Sequence, residues 1–535
     1  MLFIVTLILS LYCSVSAIPL GGRDQSLYSQ LLEVVNNIQS SNASTVDGQL
    51  MLNIQTLGSN SSSIVARQQS PEAACSISKI LMGDSAYLDR SSAGYFNASK
   101  ENWSQTCWLE ARCIVKPTTA AEVAVLFKVI NYMNIPFAIR GRGHNPNSGF
   151  GSIDNTGILI DLSLLVQTDV SVDRKSIKVG AGNEWMDVYQ ALDPLGLSAV
   201  GTKEPFPGIV GSILGGGSPF FPSLYGFICD NVKSFQVVLS NSTVVQANAN
   251  KNVDLFKALK GGGPNYGIIT QVELYTVPLH DVSYKFNLYN ESQNAVLLKA
   301  LVAYQDLAAK DPRAGLVFTL TGSTTVVGFL YAAHAREPSV FGSFYDIPVA
   351  SSIVAPANGT VQQLSALVGS LSVPGTANRQ IFAISTKVDA ELYKDVYREY
   401  AKGVSNMSST ASLIISYQPL TATAVTASGK NGGNSLGVQA EAQNWLAGVM
   451  SWQSDADTVS SQNRANKLYS KIQSLTRSRN LSLPFEFQND AGYTQKPLRG
   501  IGKNLVQSLK TVSKKYDPSQ TFQTLQNSGF LLSKS

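Results

Sequence analysis

Four glycine-rich segments between residues 141 and 267 constrain this chain more than any other feature of its sequence. Glycine lets the backbone adopt positive φ and approach a ligand closely, and consecutive backbone N–H groups can cradle an anion. Four such segments favour an extended ligand lying along the backbone, and a dinucleotide with its pyrophosphate fits that requirement. The alternative is a β-rich protein that uses glycine in tight turns. The segments span residues 140–144, 180–182, 208–217 and 261–267.

The first segment follows an apolar, strand-like run and ends at His144. It is not a P-loop, because no Gly-Lys-Ser/Thr sequence closes it, and it lacks the third glycine of a Rossmann fingerprint. A histidine at the end of such a loop is suited to contacting or attaching a cofactor. Taken alone, the loop fits a surface turn with a capping histidine equally well.

Length, charge and the N-terminal run together indicate an exported globular protein. With 535 residues the chain is long enough for two domains, and its net charge of +5 includes no Lys/Arg block that would indicate a nucleic-acid partner. An apolar run over residues 2–11, followed by small residues up to Ala17, predicts a signal peptide over residues 1–17. This run is too short to favour a membrane-spanning helix, so a secreted protein with no membrane association is expected.

Sequons and cysteines agree with export. The nine Asn-x-Ser/Thr sequons predict N-glycans, and the four cysteines that remain after loss of Cys13 predict one or two disulfides of undetermined pairing. The spacing of Cys107 and Cys113 does not match a zinc site, so no metal is expected. A monomer is expected. The sequon asparagines are Asn42, Asn60, Asn97, Asn102, Asn241, Asn290, Asn358, Asn406 and Asn480.

Periodicity predicts alternating short strands and helices, followed by a unit with longer strands. Residues 18–74 are rich in Ser, Asn and Gln and are predicted to form a partly mobile N-terminal extension. Helical spacing of apolar residues predicts helices over 120–133 and 185–192, and an apolar run predicts a strand over 158–165. Residues 281–484 carry longer strand-like runs and predict an α+β unit with an antiparallel sheet.

In their order, the glycine-rich segments and residues 226–232, 254–256 and 516–518 resemble FAD-linked oxidoreductases of the vanillyl-alcohol-oxidase superfamily. The resemblance is to the berberine-bridge-enzyme-like branch, in its secreted fungal type, and it extends from about Cys75 to the C-terminus. It implies an α+β fold with a two-part, PCMH-type FAD-binding domain over residues 75–280, whose core covers about 109–279. A substrate domain over 281–484, with a large antiparallel sheet backed by helices, and a C-terminal return over 485–535 to the FAD-binding domain complete the implied organisation.

The resemblance also implies how FAD is held. His144 takes the place of the histidine that relatives bond to the flavin 8α-methyl group. Many relatives add a second link through a cysteine, but this chain has Glu204 at that position, which implies attachment through His144 alone. The residues expected to bind FAD are Arg140, Gly141, Gly143, His144, Asn145, Ser148, Gly208, Gly211, Ser212, Gly215, Gly216, Asp230, Asn231, Val232, Gly267 and Ile269.

The implied activity is oxidation of a small molecule, with hydride transfer to the flavin while a protein base removes a proton. Oxygen is the expected acceptor and hydrogen peroxide the expected product. Low charge in the substrate-domain segments favours a small, largely uncharged alcohol or a secondary metabolite. Tyr417 with Gln418, and Tyr493, are the candidates for the catalytic base. The alternatives are a carbohydrate oxidase of the same fold and a flavin-binding protein without significant turnover.

Overall fold

Three β-sheets with covering helices make up the described part of the protein. A computed structural model of the chain describes residues 70–372, 376–429 and 431–535. The predicted signal peptide, the predicted extension up to residue 69, and the sequons at Asn42 and Asn60 lie outside these residues. Residues 71–535 form one compact unit. Across the described ranges, no helix combines the length and the apolar character needed to cross a membrane.

The first sheet has four strands in the order β1-β2-β4-β3, in which β4 pairs in parallel with both β2 and β3. One disulfide joins Cys75, on the helix that precedes this sheet, to Cys113 in β2. Cys107 and Cys229 are buried free thiols. The strands are β1 (Tyr87–Leu88), β2 (Cys113–Val115), β3 (Phe137–Arg140) and β4 (Ile158–Asp161).

The second sheet has six antiparallel strands in the order β5-β6-β10-β8-β9, and β7 also pairs with β10. Its apolar side is part of the largest core cluster, which includes Trp185, Phe235 and Tyr266. The strands are β5 (Thr168–Val170), β6 (Ser176–Gly180), β7 (Ser198–Ala199), β8 (Val232–Val238), β9 (Val244–Asn248) and β10 (Ile268–Val277).

The third sheet has seven antiparallel strands in the order β14-β11-β13-β12-β16-β17-β15. Side chains on one of its faces form a second core with three long helices, over residues 294–308, 390–404 and 458–478. The opposite face stays free of these helices and turns toward the first part of the chain. The strands are β11 (Asp281–Asn290), β12 (Ala314–Thr321), β13 (Thr324–Tyr331), β14 (Ser351–Thr360), β15 (Asn378–Lys387), β16 (Ala411–Leu420) and β17 (Gln443–Trp452).

Sixteen α-helices lie within the described residues. They are α1 (Pro71–Met82), α2 (Tyr95–Ser99), α3 (Ala120–Met133), α4 (Trp185–Leu192), α5 (Ile209–Leu214), α6 (Pro222–Tyr225), α7 (Val253–Leu259), α8 (Asn294–Ala308), α9 (Gly342–Tyr345), α10 (Val361–Leu371), α11 (Ala390–Val404), α12 (Ala422–Ala427), α13 (Thr458–Ser478), α14 (Pro497–Gly500), α15 (Lys503–Tyr516) and α16 (Thr521–Thr524).

Local capping explains why α3 and α4 have the bounds that the sequence predicts. The Thr119 hydroxyl accepts a hydrogen bond from Glu122 N at the start of α3, and Asn134 ends that helix in the left-handed conformation. At the start of α4, Glu184 N donates to Asp187 Oδ2 over 2.9 Å. Both predicted helices and the α+β class are confirmed.

The strand predicted over 158–165 is shorter than expected. It ends at Asp161, because Asp161 Oδ1 accepts a hydrogen bond from Ser163 N and the chain turns into a short 3₁₀ helix.

The final residues of the chain pack against the first sheet. The Phe522 ring is stacked on the Phe127 ring, with centroids 5.0 Å apart, and Asn527 N donates to Phe137 O over 2.7 Å. The C-terminal segment thereby supports β3, the strand from which the His144 loop begins.

Candidate functional site

The loop that carries His144 begins at a firmly anchored arginine. The Arg140 guanidinium is buried at the end of β3 and donates to Asp161 Oδ2 at 2.8 Å, Glu101 Oε2 at 3.0 Å and Asn102 Oδ1 at 3.1 Å. Gly143 has φ +65°, and a Cβ there would lie 3.2 Å from Asn102 Cα. Any other residue would strain this turn, which explains why the loop carries glycine.

A cavity of about 530 Å³ runs along this loop. That volume lies within the range of roughly 300–1,000 Å³ that is typical of small-molecule sites. All four glycine-rich segments or their immediate neighbours contribute to its wall, including Gly141, Ala181, Gly211 and Gly263. The sequence expectation that these segments serve one extended ligand therefore has a geometric counterpart.

Backbone donors line the cavity next to His144. Within the described residues, the N–H groups of residues 142–145 donate to no protein acceptor. A run of such donors in a glycine-containing turn is a ready anion site. The loop therefore has what a pyrophosphate requires: backbone close to the cavity and unused N–H groups.

His144 lies in an aromatic and charged setting. Its ring stacks on Trp103, with centroids 4.6 Å apart and planes within 7°, and its Nε2 lies 3.8 Å from Glu204 Oε2. Burial and the nearby Arg379 guanidinium lower the pKa of His144 to about 4. The imidazole is therefore neutral at physiological pH, and one ring nitrogen keeps a free lone pair.

The third glycine-rich segment is held by a residue far along the chain. Asn489 Nδ2 donates to Gly211 O at 3.1 Å, and Gly217 N donates to Asn489 Oδ1 at 3.0 Å. A Cβ on Gly215 would lie 2.4 Å from Asn489 Nδ2, so the close approach requires glycine.

The other end of the cavity is closed by the helix-free face of the third sheet. Thr319 and Ser416 are paired across β12 and β16, and their hydroxyl oxygens lie 3.0 Å apart. Small or aliphatic side chains surround this pair, so the floor is flat and largely apolar. Cavity-lining residues at alternate positions of β12, β16 and β17 are Val317, Thr319, Ile414, Ser416, Gln418, Ala447 and Val449.

Charged groups gather where the floor meets the glycine-rich wall. Asp490 Oδ2 accepts a hydrogen bond of 2.6 Å from Gln418 Nε2, and burial raises the pKa of Asp490 to about 6. Lys203 donates to Ser218 Oγ at 3.2 Å, and burial lowers its pKa to about 8. A carboxylate with a raised pKa beside an ammonium group is suited to accepting a proton from a bound molecule.

Most of the residues predicted to bind FAD line this cavity. Ser148, Gly216, Asp230, Asn231 and Val232 do not belong to its lining. Instead, Asp230 Oδ2 accepts from Phe227 N at 2.7 Å and Asn231 Nδ2 donates to Phe227 O at 2.9 Å, so both fix a turn. The predicted residues that line the cavity are Arg140, Gly141, Gly143, His144, Asn145, Gly208, Gly211, Ser212, Gly215, Gly267 and Ile269.

Of the three catalytic candidates, only Gln418 presents its side chain to the substrate side of the cavity. Tyr417 points to the helix-covered face, where its hydroxyl donates to Tyr393 O at 3.2 Å and its ring packs edge-on against Phe318. Tyr493 is 55% exposed and lies outside the cavity lining. The geometry supports neither tyrosine as the base.

Sequence reasoning did not single out Trp103, Lys203 or Asp490 as site residues. Asp490 lies in a mixed polar and aromatic stretch whose pattern does not mark it as a site residue. The other two sit in polar, irregular stretches whose contacts appear only in three dimensions.

Comparison with known proteins decides the family. Residues 111–248 match the family described as FAD binding domain. The chain is 35% identical to the FAD-dependent monooxygenase macF of Penicillium terrestre over 436 residues, which cover 81% of this chain and 84% of that protein. It is 36% identical to the FAD-dependent monooxygenase AOL_s00215g279 of Arthrobotrys oligospora over 442 residues, covering 82% of this chain and 86% of that one.

The fold matches as well. The solved structure of Physcomitrella patens BBE-like 1 aligns with a TM-score of 0.71 at 20% identity, covering 86% of this chain and 99% of that one. The chain belongs to the family of FAD-linked oxidoreductases that includes these two fungal relatives, and it shares its fold with the berberine-bridge-enzyme-like protein. The resemblance that the motifs indicated is therefore confirmed.

As an FAD-linked oxidoreductase, the protein is an enzyme that binds FAD. The cavity fits this cofactor, because its glycine-rich wall brings unused backbone donors next to His144. Gly208, Gly211 and Ser212 of the α5 region, together with residues 141–145, are the groups that would hold the pyrophosphate. The sheet floor at Thr319 and Ser416 is then left for the substrate.

Proposed function

We propose that this protein is a secreted FAD-dependent oxidase that acts on a small, largely uncharged alcohol or secondary metabolite. Its FAD is attached through His144 alone, and oxygen reoxidises the flavin with release of hydrogen peroxide. The observation that carries the proposal is a single cavity that connects the His144 loop with the small, uncharged side chains of β12, β16 and β17.

The floor residues favour a flat, mostly apolar substrate with few polar groups. Thr319 and Ser416 offer two hydroxyl groups for hydrogen bonds, while Val317, Ile414 and Ala447 offer apolar contact. A sugar requires a larger set of polar and aromatic contacts. This difference favours the alcohol or secondary metabolite over the carbohydrate alternative.

Asp490 is the proposed base. When bound, FAD accepts the two electrons that leave the oxidised substrate. Asp490 is ionised at neutral pH, because its pKa is about 6, and its Oδ1 makes no hydrogen bond within the described residues. Gln418 orients the carboxylate through Oδ2, so Oδ1 remains available to take the hydroxyl proton of a substrate.

The exposure of the sequons supports the proposed export. In the described part of the chain, Asn97, Asn241, Asn290, Asn358, Asn406 and Asn480 are all exposed, whereas Asn102 is buried. Exposed sequons are accessible to glycosylation in the secretory pathway. Secreted protein treated with an N-glycosidase should lose mass at these six sites and not at Asn102.

Monooxygenation is the second candidate, because the relatives compared above are named FAD-dependent monooxygenases. An oxidase returns both oxygen atoms as hydrogen peroxide, whereas a monooxygenase places one of them in the product. The two activities therefore differ in product mass under labelled oxygen.

The test is turnover of the purified, full-length protein with panels of alcohols, hydroxylated aromatic compounds and oligosaccharides under ¹⁸O₂. The proposal predicts one peroxide per product molecule, no label in the product, and greater activity on the alcohols or aromatic compounds. Label in the product would establish the monooxygenase instead. Preference for oligosaccharides would overturn the substrate assignment, and bound FAD without turnover on any panel would favour a binding protein.

A further inference from the structure

The groups around the His144 ring have a role that substrate oxidation does not require. Trp103 and Glu204 approach the ring from its face and its edge, and both line the same cavity. The inference drawn from them rests on the proposed attachment of FAD to His144.

Trp103 makes two contacts with the loop. Its backbone N donates to Gly143 O at 3.0 Å, and its indole stacks on the His144 ring at 4.6 Å with planes within 7°. Stacking fixes the plane of the imidazole, and the backbone bond fixes the residue before it. The Arg379 guanidinium lies 4.2 Å from the Trp103 ring centroid, which holds the indole in turn.

Glu204 meets the edge of the imidazole. Its Oε2 lies 3.8 Å from His144 Nε2, and its backbone is fixed where Thr202 Oγ1 donates to Glu204 O at 2.6 Å. When the imidazole carries its proton on Nε2, that proton lies beside the Glu204 carboxylate. The lone pair is then on Nδ1.

Bond formation at His144 requires that orientation and one proton acceptor. The Nδ1 lone pair forms a bond to the 8α-carbon, and a proton leaves that carbon. The ring becomes cationic as its lone pair is used, so its Nε2 proton must leave as well. The two electrons of the broken C–H bond and the proton from that carbon are held by the flavin until oxygen takes them. Together with the proton on Glu204 they form hydrogen peroxide, which balances the step.

We infer that Trp103 is a positioning residue for attachment of FAD to His144, and that Glu204 is the acceptor of the Nε2 proton. Trp103 acts through the plane of the ring and does not exchange protons.

The test measures attachment separately from binding and turnover. Full-length apoprotein, produced in a riboflavin-depleted host, is mixed with FAD, and acid-stable flavin fluorescence of the polypeptide is followed over time. Total bound flavin is measured in parallel before acid treatment. Glu204→Gln and Trp103→Leu are compared with Trp103→Phe, which restores an aromatic face.

Two control variants match the losses in packing and charge. Trp108→Leu removes the nearby indole that donates to Asn102 O, and Glu486→Gln neutralises a half-buried glutamate outside the cavity. Both controls are expected to attach FAD at the wild-type rate.

Both Glu204→Gln and Trp103→Leu should bind FAD yet attach it about 100-fold more slowly, as expected for a lost proton acceptor or a misplaced nucleophile. Trp103→Phe should recover most of the rate. Wild-type rates in both test variants would overturn the inference, as would Trp103→Phe being as slow as Trp103→Leu. Wild-type protein without acid-stable flavin would also overturn it, while bound flavin and substrate turnover would still test the proposed oxidase separately.

Discussion

Asn489 and Asp490 are consecutive in the chain, yet their side chains bond to opposite ends of the cavity. Asn489 donates to Gly211 O over 3.1 Å, in the glycine-rich wall, and Asp490 accepts from Gln418 over 2.6 Å, on the sheet floor. One peptide unit therefore sets the distance between the cofactor side and the substrate side. A shift of the glycine-rich wall or of the sheet floor would therefore be transmitted to the other through Asn489 and Asp490.

Replacing Asp490 with asparagine should abolish the proposed base while keeping the shape of the site. We expect kcat to fall by about 10²- to 10⁴-fold with bound FAD unchanged, because the amide cannot take a proton. Glu486→Gln is the matched control, since it neutralises a half-buried carboxyl outside the cavity. A kcat within threefold of wild type would assign the base elsewhere.

The same carboxylate predicts the pH profile of turnover. Burial raises the pKa of Asp490 to about 6, against the pull of Lys203. As the pH falls through about 6, the carboxylate gains a proton and can no longer act as a base, so kcat should fall about tenfold per pH unit below that value. Steady-state kinetics between pH 4.5 and 8 with buffers of constant ionic strength would measure this. A flat profile across this range would contradict it.

Asn489 and Gly215 should be coupled in FAD binding. Gly215→Ala places a Cβ 2.4 Å from Asn489 Nδ2, and Asn489→Ala removes two hydrogen bonds to the glycine-rich wall. Each single variant should bind FAD about tenfold more weakly. The double variant should be less impaired than the product of the two effects, because the clash disappears with the Asn489 side chain. Titration of apoprotein with FAD measures all four affinities, and additive losses would show that the contact is unimportant.

Asp230 should make stability depend on pH. Burial raises its pKa from 3.8 to about 6, although Asn434 donates to its carboxylate. The folded state therefore holds this proton more tightly than the unfolded state, so the stabilisation is complete below pH 3.8 and is lost as the pH rises through about 6.

Between pH 5 and pH 7 this contribution amounts to about 1 kcal/mol. The lowered pKa of His144 acts in the opposite direction, so wild type and Asp230→Asn must be compared at each pH. Urea unfolding at the two pH values should show that the free energy of unfolding of wild type falls by about 1 kcal/mol more than that of the variant between pH 5 and pH 7. Equal pH dependence in the two proteins would exclude Asp230 as its source.

The disulfide between Cys75 and Cys113 should stabilise the first sheet. It closes a loop of 38 residues, for which loop-closure entropy predicts about 4 kcal/mol. A Cys75→Ser/Cys113→Ser variant should therefore unfold at lower urea concentration. A reducing agent should lower the stability of the wild type but not that of this variant. Cys107→Ser, which removes a free thiol, controls for general effects of cysteine replacement.

Features fixed by local sequence were predictable. The bounds of α3 and α4 follow from caps within three residues of the helix start, Thr119 with Glu122 and Glu184 with Asp187. The glycine-rich wall was also predictable, because a backbone that approaches a ligand closely requires glycine, and the sequence shows the resulting glycine-rich segments. His144 and most of the residues expected to hold FAD accordingly line the cavity.

Features that depend on which face of a strand a side chain occupies, or on contacts between distant residues, could not be predicted from the sequence. Tyr417 and Gln418 are adjacent, but only one of two neighbours on a strand can face the cavity, and the register of β12 with β16 decides which. Asp490 reaches Gln418 across 72 positions of sequence. Nothing local to either residue indicates that they meet.

Folding and glycosylation exclude one another at the buried sequon Asn102. In the folded protein its amide is spent on Gly151 O and its carbonyl on the Arg140 guanidinium, with no room for a sugar. A glycosyltransferase that modified Asn102 before this region folded would attach a sugar there. The modified side chain could then no longer pack beside the Arg140 guanidinium. If the chain is exported as proposed, sugar at Asn102 would mark molecules that were glycosylated before the Arg140–His144 loop had folded.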